Sequence, residues 1–226
     1  MSLEYCVVSI GALSHNRLWG ETSAVRTAHA TTTLVSEESR LILVDPSLPP
    51  PVLAARLGER TGKSFADVTD VFCTTLRPVH RRGVEAFASA RWWCSEDELE
   101  AYRRYLEELE SSAGRLDAQQ VAAVEADLKL VRRFQPAPEK FSKGIHLYPL
   151  TGPSAGSAGL LLAQATLTVL VAGDAALTAE HLQRGMVWEG CADAEAAGRS
   201  LQDILEVADV IIPGHDNMML SPGRWI

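Results

Sequence analysis

The sequence has no apolar stretch long enough to cross a membrane and no excess of basic residues. Its longest apolar run, residues 165–172, falls far short of the roughly 20 residues that a spanning helix needs. The amino terminus carries Glu4 where a signal peptide carries basic residues. Lys and Arg number 21 against 29 Asp and Glu, so a net charge of −8 disfavours nucleic acid and anionic membranes as partners. We expect a cytoplasmic protein that binds neither.

Several chemical motifs are missing as well. The four cysteines form no C-x-x-C pair, which favours reduced, buried thiols. No G-x-S-x-G elbow, P-loop or G-x-G-x-x-G follows a predicted strand, and this disfavours a serine hydrolase. What remains is a chain of 226 residues, 46% hydrophobic and 22% charged, which is the composition of an ordinary globular protein with a sizeable core.

The order of the predicted elements indicates one α/β domain over residues 1–226. A β-hairpin is predicted over residues 31–45, and strands follow at 68–75 and 91–94. A helical insertion is predicted at about 95–134, opened by the capping box Ser95-Glu-Asp-Glu98. The β pattern returns from residue 145. Because the strands form one group before the insertion and one after it, we predict two packed sheets flanked by helices. The insertion could serve as the surface of a homodimer.

Four polar loops each follow a predicted strand, and such loops are where α/β enzymes gather their chemistry. Their sequences are Cys73-Thr-Thr-Leu-Arg-Pro-Val-His-Arg-Arg-Gly83, Thr151-Gly-Pro-Ser-Ala-Gly-Ser157, Gly173-Asp174 and Pro213-Gly-His215. In order and spacing they resemble the metallo-β-lactamase superfamily, which has T-H-x-H-x-D-H-x-G-G, G-H-T-x-G-S, G-D and P-G-H in these loops. The resemblance implies an αββα sandwich of two mixed β-sheets flanked by helices, with metal ligands on the loops.

The sequence departs from that pattern at four of the ligand positions. Thr75 and Arg77 stand where the family has two leading histidines, Val79 where it has aspartate, and Pro153 where it has a third histidine. The resemblance therefore implies that the first metal site is lost. The residues that match are His80, Asp174 and His215, and these imply a second site that could hold one Zn, or Fe or Mn, ion. Asp45 resembles a structural aspartate of the family, and His181 is predicted to be a surface histidine.

Three functions remain open at this point. The first is a hydrolase of esters, thioesters, lactones or phosphodiesters with at most one divalent metal and with dinuclear hydrolysis impaired or absent. The second is a metal-free pseudoenzyme that binds a small-molecule ligand or another protein, because Arg77 could pair with Asp174 in place of a cation. The third is metal-free catalysis with Arg77 as electrophile and His80 or His215 as base. The retained ligands slightly favour the first, and the sequence names no catalytic residue.

Overall fold

The computed structural model describes residues 2–112 and 117–222. Within these ranges the α-helices are α1 (Pro50–Thr61), α2 (Pro78–Arg81), α3 (Glu96–Ser111), α4 (Ala118–Val131), α5 (Ala179–Arg184) and α6 (Ala194–Val207). The strands are β1 (Glu4–Ser9), β2 (Thr32–Glu37), β3 (Arg40–Val44), β4 (Asp70–Phe72), β5 (Arg91–Cys94), β6 (Phe134–Pro136), β7 (Ile145–Pro149), β8 (Ala158–Ala163), β9 (Thr168–Gly173), β10 (Val210–Pro213) and β11 (Met219–Leu220). None of the helices in the described ranges is long and apolar enough to span a bilayer.

The strands form two mixed sheets, as predicted. The first sheet has the order β1-β2-β3-β4-β5-β6, antiparallel from β1 to β3 and parallel from β3 to β6. The second has the order β11-β10-β9-β8-β7, in which only β9 and β10 run parallel. The predicted hairpin over residues 31–45 is confirmed as β2 and β3.

Alternation along the strands divides the core into three apolar clusters, one between the two sheets and one between each sheet and its helices. In the first sheet, Leu43 and Val71 face the apolar sides of the flanking helices, whereas Ile42 and Phe72 face the second sheet. The second sheet sends Leu170 to its own helices, which are α5 and α6. The secondary-structure elements therefore form four layers in the order helices, sheet, sheet, helices. This is the αββα sandwich that the family resemblance implied.

Two local predictions differ from the structure at the helical insertion and the loop before it. Residues 77–83, predicted as an irregular loop, contain helix α2, because Pro78 occupies its first turn and leaves no amide hydrogen unpaired. The second helix of the insertion ends at Val131 rather than near residue 134. Phe134 instead begins β6 and pairs with Trp92 of β5, since burial of the two rings in the sheet replaces the last helical turn.

An ion pair between a buried arginine and a partly exposed aspartate fastens the helical insertion to α2. The guanidinium of Arg81 donates from Nη2 to both oxygens of Asp127 on α4, at 2.8 and 2.7 Å, and to the hydroxyl of Tyr102 on α3 at 3.0 Å. Its Nε donates to the carbonyl of Leu76. Because Arg81 follows His80 directly, this pair holds the insertion against a loop that carries the predicted site.

Gly173, at the end of β9, lets the two sheets approach each other. Its φ of +55° lies in the left-handed region, and a β-carbon there would stand 2.5 Å from the hydroxyl oxygen of Thr74 at the end of β4. A side chain would therefore be strained and would also collide with the first sheet. Because Asp174 follows Gly173 directly, the close approach that glycine permits also brings Asp174 to the first sheet.

We predict that Gly173→Ala lowers the free energy of unfolding by about 2–5 kcal/mol, because left-handed strain and overpacking add. Gly185→Ala is the matched control. Gly185 has a similar φ of +62°, but no atom lies within 4 Å of the position that its added methyl group would take, so it should lose only about 1–2 kcal/mol. Urea denaturation measures both, and equal losses would contradict the close approach at Thr74.

We also predict that Asp127→Ala costs about 2–3 kcal/mol, because it leaves the Arg81 cation buried without its partner. This loss of stability is smaller than for a fully buried pair because Asp127 is itself partly exposed. Glu195→Ala breaks the exposed pair with Arg199 on α6 and should cost less than about 0.5 kcal/mol. Urea denaturation curves that shift alike for the two variants would show that Arg81 needs no counter-ion.

Candidate functional site

The candidate site lies where four strands end at one edge of the sandwich. In the first sheet β3 leads into Asp45 and β4 into residues 73–77, and in the second β9 leads into Asp174 and β10 into Gly214 and His215. Because β3 runs parallel to β4, and β9 to β10, the carboxyl ends of each pair emerge together. The predicted site residues His80, Asp174 and His215 are thereby brought into contact.

Asp174 is the centre of the cluster. Its Oδ1 lies 3.1 Å from Nε2 of His80 and 3.2 Å from Nε2 of His215, and its Oδ2 accepts a hydrogen bond of 2.8 Å from Nη1 of Arg77. Burial opposes ionisation of this carboxyl, but the charge of His80 and the hydrogen bonds from His215 and His80 outweigh burial and hold its pKa well below its usual range. Asp174 is therefore a buried carboxylate with three donors.

His80 stands between two carboxylates and is fully buried. Its Nε2 faces Asp174, and its Nδ1 lies 3.0 Å from Oδ2 of Asp45. Burial alone would lower the pKa of the imidazole, but the charges of Asp174 and Asp45 and their hydrogen bonds raise it to about 10. The ring is accordingly held as an imidazolium that donates from both nitrogens.

Asp45 is placed by an unusual backbone conformation. Its φ is +49°, which aspartate tolerates better than most residues. Its Oδ1 accepts from the amide of Thr74 at 2.8 Å, and its Oδ2 accepts from the Thr74 hydroxyl at 2.7 Å as well as facing His80. The structural role predicted for Asp45 therefore includes orienting His80.

His215 is oriented by backbone carbonyls. Its Nδ1 lies 3.0 Å from the carbonyl of His29 and 3.3 Å from that of Ala12, while its Nε2 faces Asp174. The rings of His215 and His80 meet edge to face with centroids 5.8 Å apart. Both nitrogens of His215 thus face acceptors, which fixes the ring in the site.

Arg77 reaches across the cleft to the second sheet. Besides the bond to Asp174, its Nη2 donates to the carbonyl of Pro153, and its guanidinium lies 4.2 Å from the ring centroid of Trp188. Arg77 and Pro153 both stand where the family has histidines, and the Arg77 side chain joins these two positions. The charge-assisted pair with Asp174, which the sequence left open as an alternative to a metal ion, is present.

The sequence missed Glu98, which holds the loops around Arg77. Its capping-box motif predicted a bond back to Ser95, and Ser95 does cap α3, but the Glu98 carboxylate turns away and is buried. The donors to it are the Thr75 hydroxyl at 2.7 Å, the Leu76 amide at 2.8 Å, the Ser154 hydroxyl at 2.7 Å and the Gly156 amide at 3.3 Å. Glu98 therefore ties the Thr75 loop to the Pro153 loop.

A cavity of about 240 Å³ opens above these residues. Arg77, Asp174 and His215 line it together with apolar side chains that include Leu13, Leu177 and Trp188. His181 also lines it, which corrects the prediction of a surface residue: it is only 8% exposed. Burial lowers the pKa of His181, and its Nδ1 bonds the Thr178 hydroxyl at 2.8 Å because α5 begins there.

The residues do not fit a dinuclear metal centre. At the four departing positions, Thr75 is bound to Glu98, Arg77 is a cation, and the side chains of Val79 and Pro153 offer no ligand atom. Ligand atoms of His80, Asp174 and His215 do lie within 4.8 Å of one another, which suits one divalent ion. Arg77 already occupies one oxygen of Asp174, so a single ion would compete with it.

No protein-family profile and no curated protein sequence matches the chain, but solved structures do. A protein assigned as a metallo-β-lactamase from Thermotoga maritima matches with a TM-score of 0.69 and 16% identity over 97% of this chain and 100% of its own. The dizinc quorum-quenching lactonase AidC, in complex with a hexanoyl-homoserine product, matches with a TM-score of 0.66 and 18% identity over 82% of this chain and 72% of its own. AiiA of B. thuringiensis matches with a TM-score of 0.63 and 17% identity over 96% of this chain and 94% of its own.

At these identities the similarity concerns the fold alone. The Thermotoga structure matches over nearly the whole of this chain. The described part of the chain has two mixed sheets between helices, with polar loops at one edge. The chain therefore has the metallo-β-lactamase fold.

Proposed function

We propose that this protein is a metal-free ligand-binding protein, built on a hydrolase fold, in which its own cations take the place of a metal. The observation that carries the proposal is the 2.8 Å bond from Nη1 of Arg77 to Asp174, made while His80 donates to the same carboxylate. A buried carboxylate needs positive charge beside it, and here side chains supply that charge.

Electrostatic repulsion supports the proposal. A dication bound to Asp174 would lie within several ångströms of the Arg77 guanidinium and, at an effective dielectric of about 20, would be repelled by several kcal/mol. It would also have to displace a proton from His80, whose pKa of about 10 makes that proton costly to remove at neutral pH. The cluster thus favours its own hydrogen bonds over a metal ion.

The cavity supports small-molecule binding rather than a purely structural role. It has an apolar wall and a polar floor, the combination by which proteins hold small ligands. At about 240 Å³ it lies just below the range of roughly 300–1,000 Å³ for drug-sized molecules, so the ligand is small.

A second candidate function is a hydrolase with one divalent metal, and the spacing of His80, Asp174 and His215 favours it. These three residues would hold the ion, which would acidify a bound water for attack on an ester, thioester, lactone or phosphodiester. Asp45 would retain the Nδ1 proton of His80 and orient its ring. Arg77 would have to leave Asp174, and that step separates the two candidates.

Arg77→His tests the two candidates directly. We expect it to bind Zn²⁺ at least about 10-fold more tightly than the wild type, because it removes the repulsion and adds an imidazole ligand. Arg82→His is the matched control, since Arg82 is exposed and its side chain bonds the carbonyl of Ala28 rather than a site residue. Isothermal titration and elemental analysis give the affinity and the stoichiometry. A wild type that keeps one tightly bound equivalent of Zn²⁺ would favour the mononuclear hydrolase instead.

The charge of His80 predicts a pH dependence of stability in metal-free buffer. Its pKa rises from 6.5 to about 10 on folding, so the stabilisation is complete below about pH 6.5 and is lost as the pH rises toward 10. Between about pH 7 and 8.5 the free energy of unfolding should fall by up to about 1.4 kcal/mol per pH unit.

His80→Gln should remove most of this slope, because glutamine binds no proton in the range. His146→Gln, in a histidine outside the site, should retain it. Urea denaturation at several pH values in the presence of EDTA measures the slopes. A wild type of constant stability over this range would show that His80 is neutral in the folded protein.

A further inference from the structure

The wall of the cavity contains a buried amide donor that has no partner. Asn16 is 2% exposed, and its Oδ1 accepts from the amide of Leu18 at 3.0 Å, which caps a short 3₁₀ turn, Arg17–Trp19. Its Nδ2 makes no hydrogen bond to any described residue. Because Oδ1 is engaged by an N–H, the orientation of the amide is fixed and Nδ2 is the free donor.

An orphaned donor of this kind costs about 1–3 kcal/mol unless an acceptor meets it. Asn16 lies in the wall shared by the cavity above Arg77 and a second cavity of about 240 Å³, which Trp19, Arg26 and Asp216 help to line. His215 and Leu13 border both cavities too. The missing acceptor would therefore come from a molecule seated against the wall that these cavities share.

Arg77 retains donors of its own. A guanidinium has five N–H groups, and the bonds to Asp174 and Pro153 engage one on each of two nitrogens. Arg77 is 24% exposed and lines the cavity, with one side against the Trp188 ring. Asp174 lines the cavity as well, but its two oxygens already face His80, His215 and Arg77.

The remaining charges near the mouth are paired. Arg17 and Glu189 form an ion pair of 2.7 Å at the exposed rim, so neither sets the sign of the interior. Much of the remaining wall is apolar, with Leu13, Leu18 and Met186 among its residues, although Ser14, His15 and His181 also line it. The interior thus places the Arg77 cation and the Asn16 amide in a largely apolar wall, together with Asp174 and His215, which already contact each other.

We propose that the ligand of this cavity is a small monocarboxylate with an apolar body, its carboxylate oxygens held by Arg77 and by Nδ2 of Asn16. A guanidinium fork matches the geometry of a carboxylate, and apolar walls make the charge-assisted bonds stronger than in water. The inference rests on the proposed function, in that Arg77 rather than a metal ion faces the ligand.

Calorimetry with 3-phenylpropionate and its neutral amide, 3-phenylpropanamide, tests the inference in EDTA-containing buffer. We expect the carboxylate to bind at least about 10-fold more tightly than the amide, because hydrogen bonds to a charged group are worth about 1.5–3 kcal/mol. Arg77→Met should weaken carboxylate binding by about 10- to 100-fold and leave amide binding nearly unchanged.

Asn16→Asp keeps the Oδ1 cap on Leu18 but replaces the free donor by a second carboxylate oxygen, so it should also weaken carboxylate binding by about 10-fold or more. Asn217→Asp makes the same charge change at an exposed residue that caps Met218, and should leave binding within about 2-fold of the wild type. Thermal unfolding confirms that each variant is folded, and Arg77→Met decides the result if Asn16→Asp is not.

Equal affinity for the acid and the amide would overturn the carboxylate inference and leave metal-free ligand binding intact. Carboxylate binding that is seen only when Zn²⁺ replaces EDTA in the buffer would overturn the proposed function as well. Absence of binding by either probe at millimolar concentration, or Arg77→Met binding the carboxylate as the wild type does, would also overturn the inference.

Discussion

The requirement that a buried carboxylate be neutralised governs the whole site. Asp174 directly follows a central strand and is buried, so its charge must be met by nearby cations or donors. Arg77 and His80 meet it from the segment after β4, and His215 meets it from the loop after β10. The carboxylate therefore fixes how the loops of the two sheets approach each other, and Gly173 makes that approach sterically feasible.

The same constraint is repeated around the site with other partners. Asp45 is satisfied by Thr74 and His80, and Glu98 by donors of two loops. Arg81 is satisfied by Asp127 of the helical insertion. Each buried charge thus joins segments that lie far apart in sequence, and this is how a site with no disulfide in the described chain is held in one geometry.

One fold serves different chemistries because the strands place loop residues at the same edge whatever those residues are. The lactonase AidC is a dizinc enzyme of similar architecture. Here the loops present Thr75, Arg77 and Pro153, and the arginine brings a permanent charge that a pair of histidines would acquire only by protonation or by binding a metal. A change of residue type at such positions alters the ligand that the edge can accept, while the core that supports it stays the same.

The sequence alone determined the layered fold and the order of the loops, because alternation within strands and polar residues after them are local signals. The meeting of His80, Asp174 and His215 was implied by the resemblance of those loops to the metallo-β-lactamase motifs. Only the tertiary structure decided that Arg77 donates to both Asp174 and the Pro153 carbonyl. It also decided that the Glu98 carboxylate turns away from its own helix cap to the neighbouring loops, and that His181 is buried. These outcomes depend on which charged group lies nearest across the interface between the sheets. That choice is set by distances of a few ångströms between residues up to 97 positions apart, which no local pattern encodes.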